Sequence, residues 1–311
     1  MIIYGAGKIA KENFAFISYL GFDSEVNLFC DIRAKDLKNF LGKRVVDYKE
    51  ARKLNDYFVI GVQKGTQNHD EISNVLEKNN EKYYDDIFSW LSETKGMNRN
   101  DIYRDYCAYY HVHEMDSYFE KSEYEKNLNV FWNSNSVFYK LFCKLDLTSV
   151  VELACGRGRH VPYYYDKAKQ IMLVDILEQN LNFCKERFNG KDNISYYCNN
   201  GKDLSDLGSS AYTSLFTYDA MVHFELIDIN SYLSETYRIL KKGGYALFHH
   251  SNDDSDYRNW FGGTTNPGGR SFMSKKIFAH LAYRNGFEIV DQVVIDWSAS
   301  NMDCITLVRK P

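Results

Sequence analysis

The chain has 311 residues, 44% of them apolar and 26% charged, enough for two globular domains of ordinary size. Its net charge of −4 gives no global pull toward nucleic acid or an anionic membrane. Seven cysteines, at 30, 107, 143, 155, 184, 198 and 304, are odd in number and form no CxxC pair, which argues against a disulfide framework or a structural zinc site and for a reducing, cytoplasmic setting.

The start, Met1-Ile2-Ile3-Tyr4-Gly5, runs straight into a strand without a basic and apolar leader. No apolar run approaches the roughly 20 residues of a membrane span. The expectation is a protein that is neither exported nor membrane-spanning. Strand 1–5 leads into Gly5-Ala6-Gly7-Lys8-Ile9-Ala10, an amphipathic helix to Leu20 and the strand Val26–Asp31. A further strand, Tyr57–Val62, and a helix from Asn68 to Asn79 complete a βαβ-type pattern, half the size of a full dinucleotide fold. Residues 1–92 are therefore read as a small Rossmann-like α/β domain, in which Gly5, Gly7 and Asp31 are placed to hold a nucleotide. The polar stretch 93–112 is read as a linker.

From 113 to the end, helices and strands alternate. Helices are expected at 128–145, 158–168, 178–188, 228–240 and 274–285, and strands at 149–154, 170–175, 193–198, 213–218 and 244–249. Two final strands, 287–295 and 303–309, have no helix between them. This order predicts a doubly wound, mostly parallel sheet with a reversed terminal strand, and ligands at the carboxyl ends of its strands.

The richest segment is Val151-Glu152-Leu153-Ala154-Cys155-Gly156-Arg157-Gly158-Arg159-His160. Glycines at a strand end let a ligand approach the backbone, and a following helix would direct N–H groups at it. Asp175 closes the next apolar run, 19 residues after Gly156, about the offset at which α/β sheets place a carboxylate on ribose hydroxyls. These features describe a site for a charged nucleoside.

In register with that turn come Asn200-Gly201-Lys202-Asp203-Leu204 and Arg238-Ile239-Leu240-Lys241-Lys242-Gly243-Gly244. Together the four segments resemble the class I S-adenosylmethionine-dependent methyltransferases over nearly all of 127–311. The resemblance implies a seven-stranded Rossmann-like methyltransferase sheet and S-adenosyl-L-methionine as cofactor. It implies a cofactor pocket of Trp132, Glu152, Ala154, Cys155, Gly156, Gly158, His160, Asp175, Ile176, Asn200, Gly201 and Tyr218, with Asn200 standing where an Asp is more usual. The segments Met221–Phe224, Phe248–Asn252, Phe272–Lys275 and Val294–Trp297 read like bacterial methyltransferases of surface-polysaccharide and glycan gene sets. The first domain is similar to small Rossmann-like domains attached to sugar-modifying transferases. That likeness implies a nucleotide-linked sugar or other glycan or small-molecule acceptor.

Methyl transfer is mainly a problem of alignment, but a hydroxyl acceptor also needs a base. Asp219, His223, His249 and His250 stand at the carboxyl ends of the fourth and fifth strands, and alternation allows only one of the adjacent histidines to face the substrate. His223 and one of His249 and His250 are the candidate bases. Asp219 takes a proton, caps a short helix or binds the methionine amino group. No spacing among them selects for a metal, and none is expected. Gly262–Arg270 reads as a lid in which Arg270, with Asn252 nearby, meets the acceptor, unless Arg270 is a solvated loop residue. Trp132 covers the cofactor or packs in the core. The first domain docks a nucleotide-linked sugar, or serves packing and homodimer formation. The competing functions are a nicotinamide-dependent oxidoreductase built on the first turn and a non-enzymatic nucleotide-sensing scaffold.

Overall fold

In the computed structural model, which describes residues 1–113, 118–261 and 269–311, the chain divides into two compact units, Met1–Tyr109 and Tyr110–Pro311. The stretch read as a linker, 93–112, is mostly helical, in Ile87–Lys95 and Arg99–His113. No helix among the described residues is long and apolar enough to cross a membrane.

The first unit is built on six short strands, β1 (Ile2–Tyr4), β2 (Leu28–Cys30), β3 (Asn39–Phe40), β4 (Lys43–Val46), β5 (Phe58–Ile60) and β6 (Tyr83–Tyr84), in the order β3-β4-β2-β1-β5-β6. Only β3 runs antiparallel to its neighbour. Sequence reading finds β1, β2 and β5, each of which is wholly buried and reads as an unbroken apolar run. It misses β3, β4 and β6, which at two to four residues are too short to show a period.

The second unit carries β7 (Val150–Leu153), β8 (Ile171–Asp175), β9 (Ile194–Cys198), β10 (Tyr212–Thr217), β11 (Leu240–Ser251), β12 (Glu288–Ile295) and β13 (Asp303–Arg309). Their order is β12-β13-β11-β10-β7-β8-β9, and β13 pairs antiparallel with both β11 and β12. This is the expected seven-stranded sheet with a reversed strand near one edge. Alternate residues of each strand feed two cores. Val150, Leu173, Phe216, Leu247 and Ile305 pack with Phe131, Phe138, Phe142 and Leu181 on one face. Val151, Val174, Leu215, Phe248 and Val308 pack with Ile229, Leu233, Phe278 and Ala282 on the other.

Two expected helices differ from the structure. The run 128–145 forms two, Glu125–Trp132 and Val137–Phe142, because Asn133-Ser134-Asn135-Ser136 interrupts it and Ser136 caps the second through its hydroxyl. The helix expected at 158–168 shrinks to Val161–Tyr164 followed by a tighter turn, Tyr165–Lys167. Ala154, Gly156 and Gly158 all have positive φ, which holds the chain out of helix until His160. A four-residue helix has little dipole to offer, so ligand binding at this turn depends on individual N–H groups and side chains.

Gly158 is sterically required. At φ +72° a Cβ there would lie 2.6 Å from Cε2 of Phe188, whereas a Cβ on Gly7 meets nothing within 4 Å. Gly158→Ala should therefore destabilise the second unit by about 2 kcal/mol or more, and Gly7→Ala should change stability by only a few tenths of a kcal/mol. Denaturant unfolding followed by circular dichroism measures both, and equal small losses would remove the steric argument.

Candidate active site

The carboxyl ends of β7, β8, β9, β10 and β11 carry the predicted residues. Asp175 ends β8, and its Oδ2 accepts the Gly156 N–H at 2.8 Å. Its Oδ1 accepts the Leu177 N–H at 2.9 Å and the Asn180 amide at 3.2 Å. Burial lifts the Asp175 carboxyl above its usual range, against the pull of these donors. Among the described residues Oδ2 takes a single protein donor, and a carboxylate oxygen has two lone pairs, so it keeps one for a ligand hydroxyl.

Glu152, on β7, is buried with Oε2 held by the Tyr164 hydroxyl at 2.7 Å. Its Oε1 is buried without a hydrogen-bond partner among the described residues. Burial pushes this carboxyl up to about 8, against the Tyr164 hydrogen bond. Cys155 and His160 are buried beside it, and the Trp132 indole donates to His160 Nδ1 at 3.1 Å. Trp132 packs in the core against Phe138 and stacks on Tyr163 at 4.9 Å. Ile176 follows Asp175, half-buried, and its carbonyl accepts the Cys198 thiol. Tyr218 lies buried between Phe138 and His249 at ring distances of 4.3 and 4.4 Å.

After β9, Asn200 is exposed and spends its side chain on its own turn. Its Oδ1 accepts the N–H groups of Lys202 and Asp203, and its amide binds Asp203. Asn199 is the buried one, with its amide on the Tyr232 hydroxyl at 2.8 Å and its N–H on the Asp175 carbonyl at 3.1 Å. Gly201 completes the turn in the left-handed region.

At the end of β10, Asp219 has φ +57°, and its carboxylate pairs with Arg159 at 2.8 Å. Burial opposes ionisation of Asp219, but the charge of Arg159 holds its carboxyl below the usual range. The Tyr118 hydroxyl lies 3.5 Å from the same oxygen. His223 Nδ1 is 2.7 Å from the Gly269 carbonyl, which can only accept, so that nitrogen carries a proton. Burial, reinforced by His111 and Arg270, pushes His223 down to about 3, so the ring is neutral and Nε2 bears the lone pair. The His111 ring centroid lies 5.1 Å away.

His249 and His250 do go to opposite faces. His249 stacks on Tyr218, with Nδ1 accepting the Asp219 N–H and Nε2 on Asp303, each at 3.0 Å. His250 stacks on Phe278 at 3.9 Å, bonds Ser251 and Thr306, and is pushed down to about 3 by burial. Both nitrogens of each ring are thus engaged inside the protein. Arg270 is no solvated loop residue. It is buried and bidentate to Asp303, at 2.7 and 2.6 Å. Asn252 ties the end of β11 to the helix Lys275–Arg284, accepting the Lys275 N–H and donating to Asn301. The rest of the expected lid, 262–268, lies outside the described residues.

Residues 151–248 match the model of a family described as "Methyltransferase domain". With the glycine turn, the open oxygen of Asp175 and the unpartnered Oε1 of Glu152 all at one sheet end, that match decides the reading. The second unit carries a methyltransferase domain. Among solved structures, an S-adenosylmethionine-dependent methyltransferase from Mesorhizobium loti is 14% identical, over 55% of this chain and 96% of that one, at a TM-score of 0.45. Geranyl diphosphate C-methyltransferase from Streptomyces coelicolor is also 14% identical, over 55% and 74%, at 0.47. No curated protein matches the chain.

The first unit repeats the same motif with a different outcome. Asp31 accepts the Ala6 N–H at 2.8 Å, just as Asp175 accepts Gly156. Yet Arg33 adds three further donors, its N–H and Nε to Oδ1 and Nη2 to Oδ2, all within 2.9 Å. Four donors fill both oxygens of Asp31, where the methyltransferase unit leaves a place open. Gly5 has φ +122° and Gly7 caps the following helix, Lys8–Tyr19, without a side-chain bond.

Sequence reading missed Tyr118, Arg159, Tyr164 and Asp303, which the structure brings against the candidate residues Asp219, Glu152 and His249. Arg159 stood inside the quoted glycine segment, and its charge beside two carboxylates was the available signal. Asp303 had none, because its contact with His249 depends on the β11–β13 register.

The raised carboxyl of Glu152 has a measurable consequence. Unfolded, it ionises near 4.3, and folded only near 8, so the folded form is fully favoured below the lower value and loses stability as pH rises through the interval. Glu152→Gln should cancel that slope, with a stability gain about 1–3 kcal/mol larger at pH 8 than at pH 5. Urea unfolding at the two pH values checks it, and a gain independent of pH would contradict the buried neutral acid.

Proposed function

We propose that this methyltransferase O-methylates a sugar or related small polar hydroxyl compound, in the cytoplasm, during synthesis of bacterial surface glycans. The observation that carries the hydroxyl acceptor is His223, whose proton is fixed on Nδ1 by the Gly269 carbonyl while burial keeps the ring neutral. A base is superfluous for a carboxylate or phosphate acceptor and useful for a hydroxyl. The two arginines nearest the reaction zone support the same reading, since Arg159 and Arg270 are paired with Asp219 and Asp303. The segments around Met221, Phe248, Phe272 and Val294 support the glycan setting.

S-adenosylmethionine supplies an electrophilic methyl group on a sulfonium. Asp175 would accept a ribose hydroxyl, Gly156 would border the methionine part, Gly158 packed under Phe188 would hold the turn in shape, and Asn199, Gly201 and Ile176 border the adenine side. Glu152 Oε1 is the acceptor that the methionine end would satisfy, with Ala154, Cys155 and His160 shaping that end. Trp132 supports the turn from the core through His160. An acceptor hydroxyl bonding to the methyl carbon, as the carbon–sulfur bond breaks and S-adenosylhomocysteine leaves, would become far more acidic than imidazolium. His223 Nε2 takes that proton even though it is a weak base, and passes it to water. Asp219, oriented on Arg159, stands beside the reacting groups as a fixed negative charge.

The first unit is proposed to dock the nucleotide of a nucleotide-linked sugar or to support a homodimer. For docking, Arg33 would leave Asp31 to a ribose and meet a phosphate instead. The saturation of Asp31 counts against a nicotinamide-dependent enzyme built on this turn, and the methyltransferase assignment displaces the scaffold reading.

Two outcomes are expected. Asp175→Ala should weaken S-adenosylhomocysteine binding by about 10–100-fold in calorimetry, the loss of one charge-assisted hydrogen bond. An unchanged Kd would remove Asp175 from the site. With labelled cofactor and a panel of nucleotide sugars, free sugars and glycan phosphates, methyl transfer should favour neutral hydroxyl acceptors. His223→Ala should lower that turnover by about 10²–10⁴-fold without weakening S-adenosylhomocysteine. Transfer only to carboxylates or phosphates, unaffected by His223→Ala, would overturn the proposal.

A further inference from the structure

Asp219 sits in the left-handed region at φ +57°, a conformation Asp adopts more readily than most residues but still one that surrounding contacts must impose. Its N–H points to His249 Nδ1 at 3.0 Å. Because Nδ1 accepts, the proton of the neutral ring lies on Nε2, 3.0 Å from Asp303 Oδ2. Asp303 in turn receives Arg270 as a bidentate pair. His249 and Asp303 are completely buried and Arg270 is 2% exposed. At the other end of the line, the Asp219 carboxylate holds Arg159 of the glycine-rich turn at 2.8 Å.

Five residues thus run in sequence from the loop at 269–270 through β13, β11 and the end of β10 to the cofactor turn, the link from His249 to Asp219 being made by the Asp219 backbone N–H. A buried ion pair is a poor source of stability, since desolvation cancels most of its attraction. What the Arg270–Asp303 pair does supply is direction: a carboxylate aimed at Nε2 selects the tautomer whose Nδ1 can accept from Asp219.

We propose that His249, Asp303 and Arg270 are positioning residues, acting through Asp219 and Arg159 to hold the glycine-rich turn in its cofactor-binding form. This rests on the reading of that turn as the S-adenosylmethionine site. His249 is then not the base that its place at a strand end suggests, and Arg270 serves the acceptor side only by anchoring the loop next to His223. The linkage also joins the two halves of the site, because Gly269, which fixes the His223 proton, precedes Arg270 directly.

Two substitutions separate positioning from bulk packing. Asn carries an oxygen at the δ position, where Nδ1 accepts from Asp219, whereas Gln reaches the ε position and Asp303 but leaves the Asp219 N–H without an acceptor. His249→Gln should weaken S-adenosylhomocysteine by about 10-fold or more in calorimetry, and His249→Asn by no more than about 3-fold. Near-UV circular dichroism should show both variants folded. Equal weakening by the two, or no weakening by either, overturns the relay while leaving the cofactor site standing. No binding by the wild-type chain removes the cofactor site and the relay with it. Should either variant fail to fold, nitrogen-15 spectra of histidine-labelled wild-type protein decide. A His249 proton on Nε2 supports the relay, and one on Nδ1 overturns it.

Discussion

The bond from the Gly156 N–H to Asp175 Oδ2 joins the ends of two adjacent parallel strands at the point where the chain leaves the sheet. It fixes the glycine-rich turn against the carboxylate while leaving that carboxylate able to accept again. The turn's left-handed residues, the early end of the strand it leaves and the shortened helix after it are all consistent with this one tie. Burial makes the tie costly to ionise, so Asp175 depends on its donors from Gly156, Leu177 and Asn180 to remain a usable acceptor.

Elsewhere in the methyltransferase unit, charge is buried only in partnership. Asp219 answers Arg159 and Asp303 answers Arg270, while Glu152 ionises only near pH 8 and keeps one oxygen unsatisfied. Such an arrangement is pre-organised: the dipoles and charges are oriented before any ligand arrives, and the alignment that methyl transfer needs is not assembled at the moment of reaction. The neutral histidine opposite them is kept neutral by the same burial.

Much of this was legible in the sequence where a physical signal is local. Apolar runs gave the strands of both units except the two- to four-residue β3, β4 and β6. The spacing from Gly156 to Asp175 gave the pairing of turn and acid, and strand alternation correctly separated His249 from His250. Illegible features were those set by distant register. Asp303 reaches His249 because β13 folds back on β11, and Arg270 becomes a buried ion rather than a solvated loop charge because Asp303 is there. The two glycine turns also looked alike in sequence. Only the geometry of Arg33, two residues past Asp31, shows one acid saturated and the other open. The family resemblance implies Asn200 as the adenine contact; in the structure its side chain bonds Lys202 and Asp203 of its own turn, while its neighbour Asn199 is buried.

On the proposed function, the second glycine turn, and not the first, receives the nucleoside of S-adenosylmethionine. The most direct measurement is a titration of the full chain with S-adenosylhomocysteine followed by amide resonances assigned in both turns. Saturable shifts are expected at Gly156, Gly158 and Asn199, with Ala6 and Gly7 unmoved. Shifts at Ala6 and Gly7 with Gly156 unmoved would contradict it.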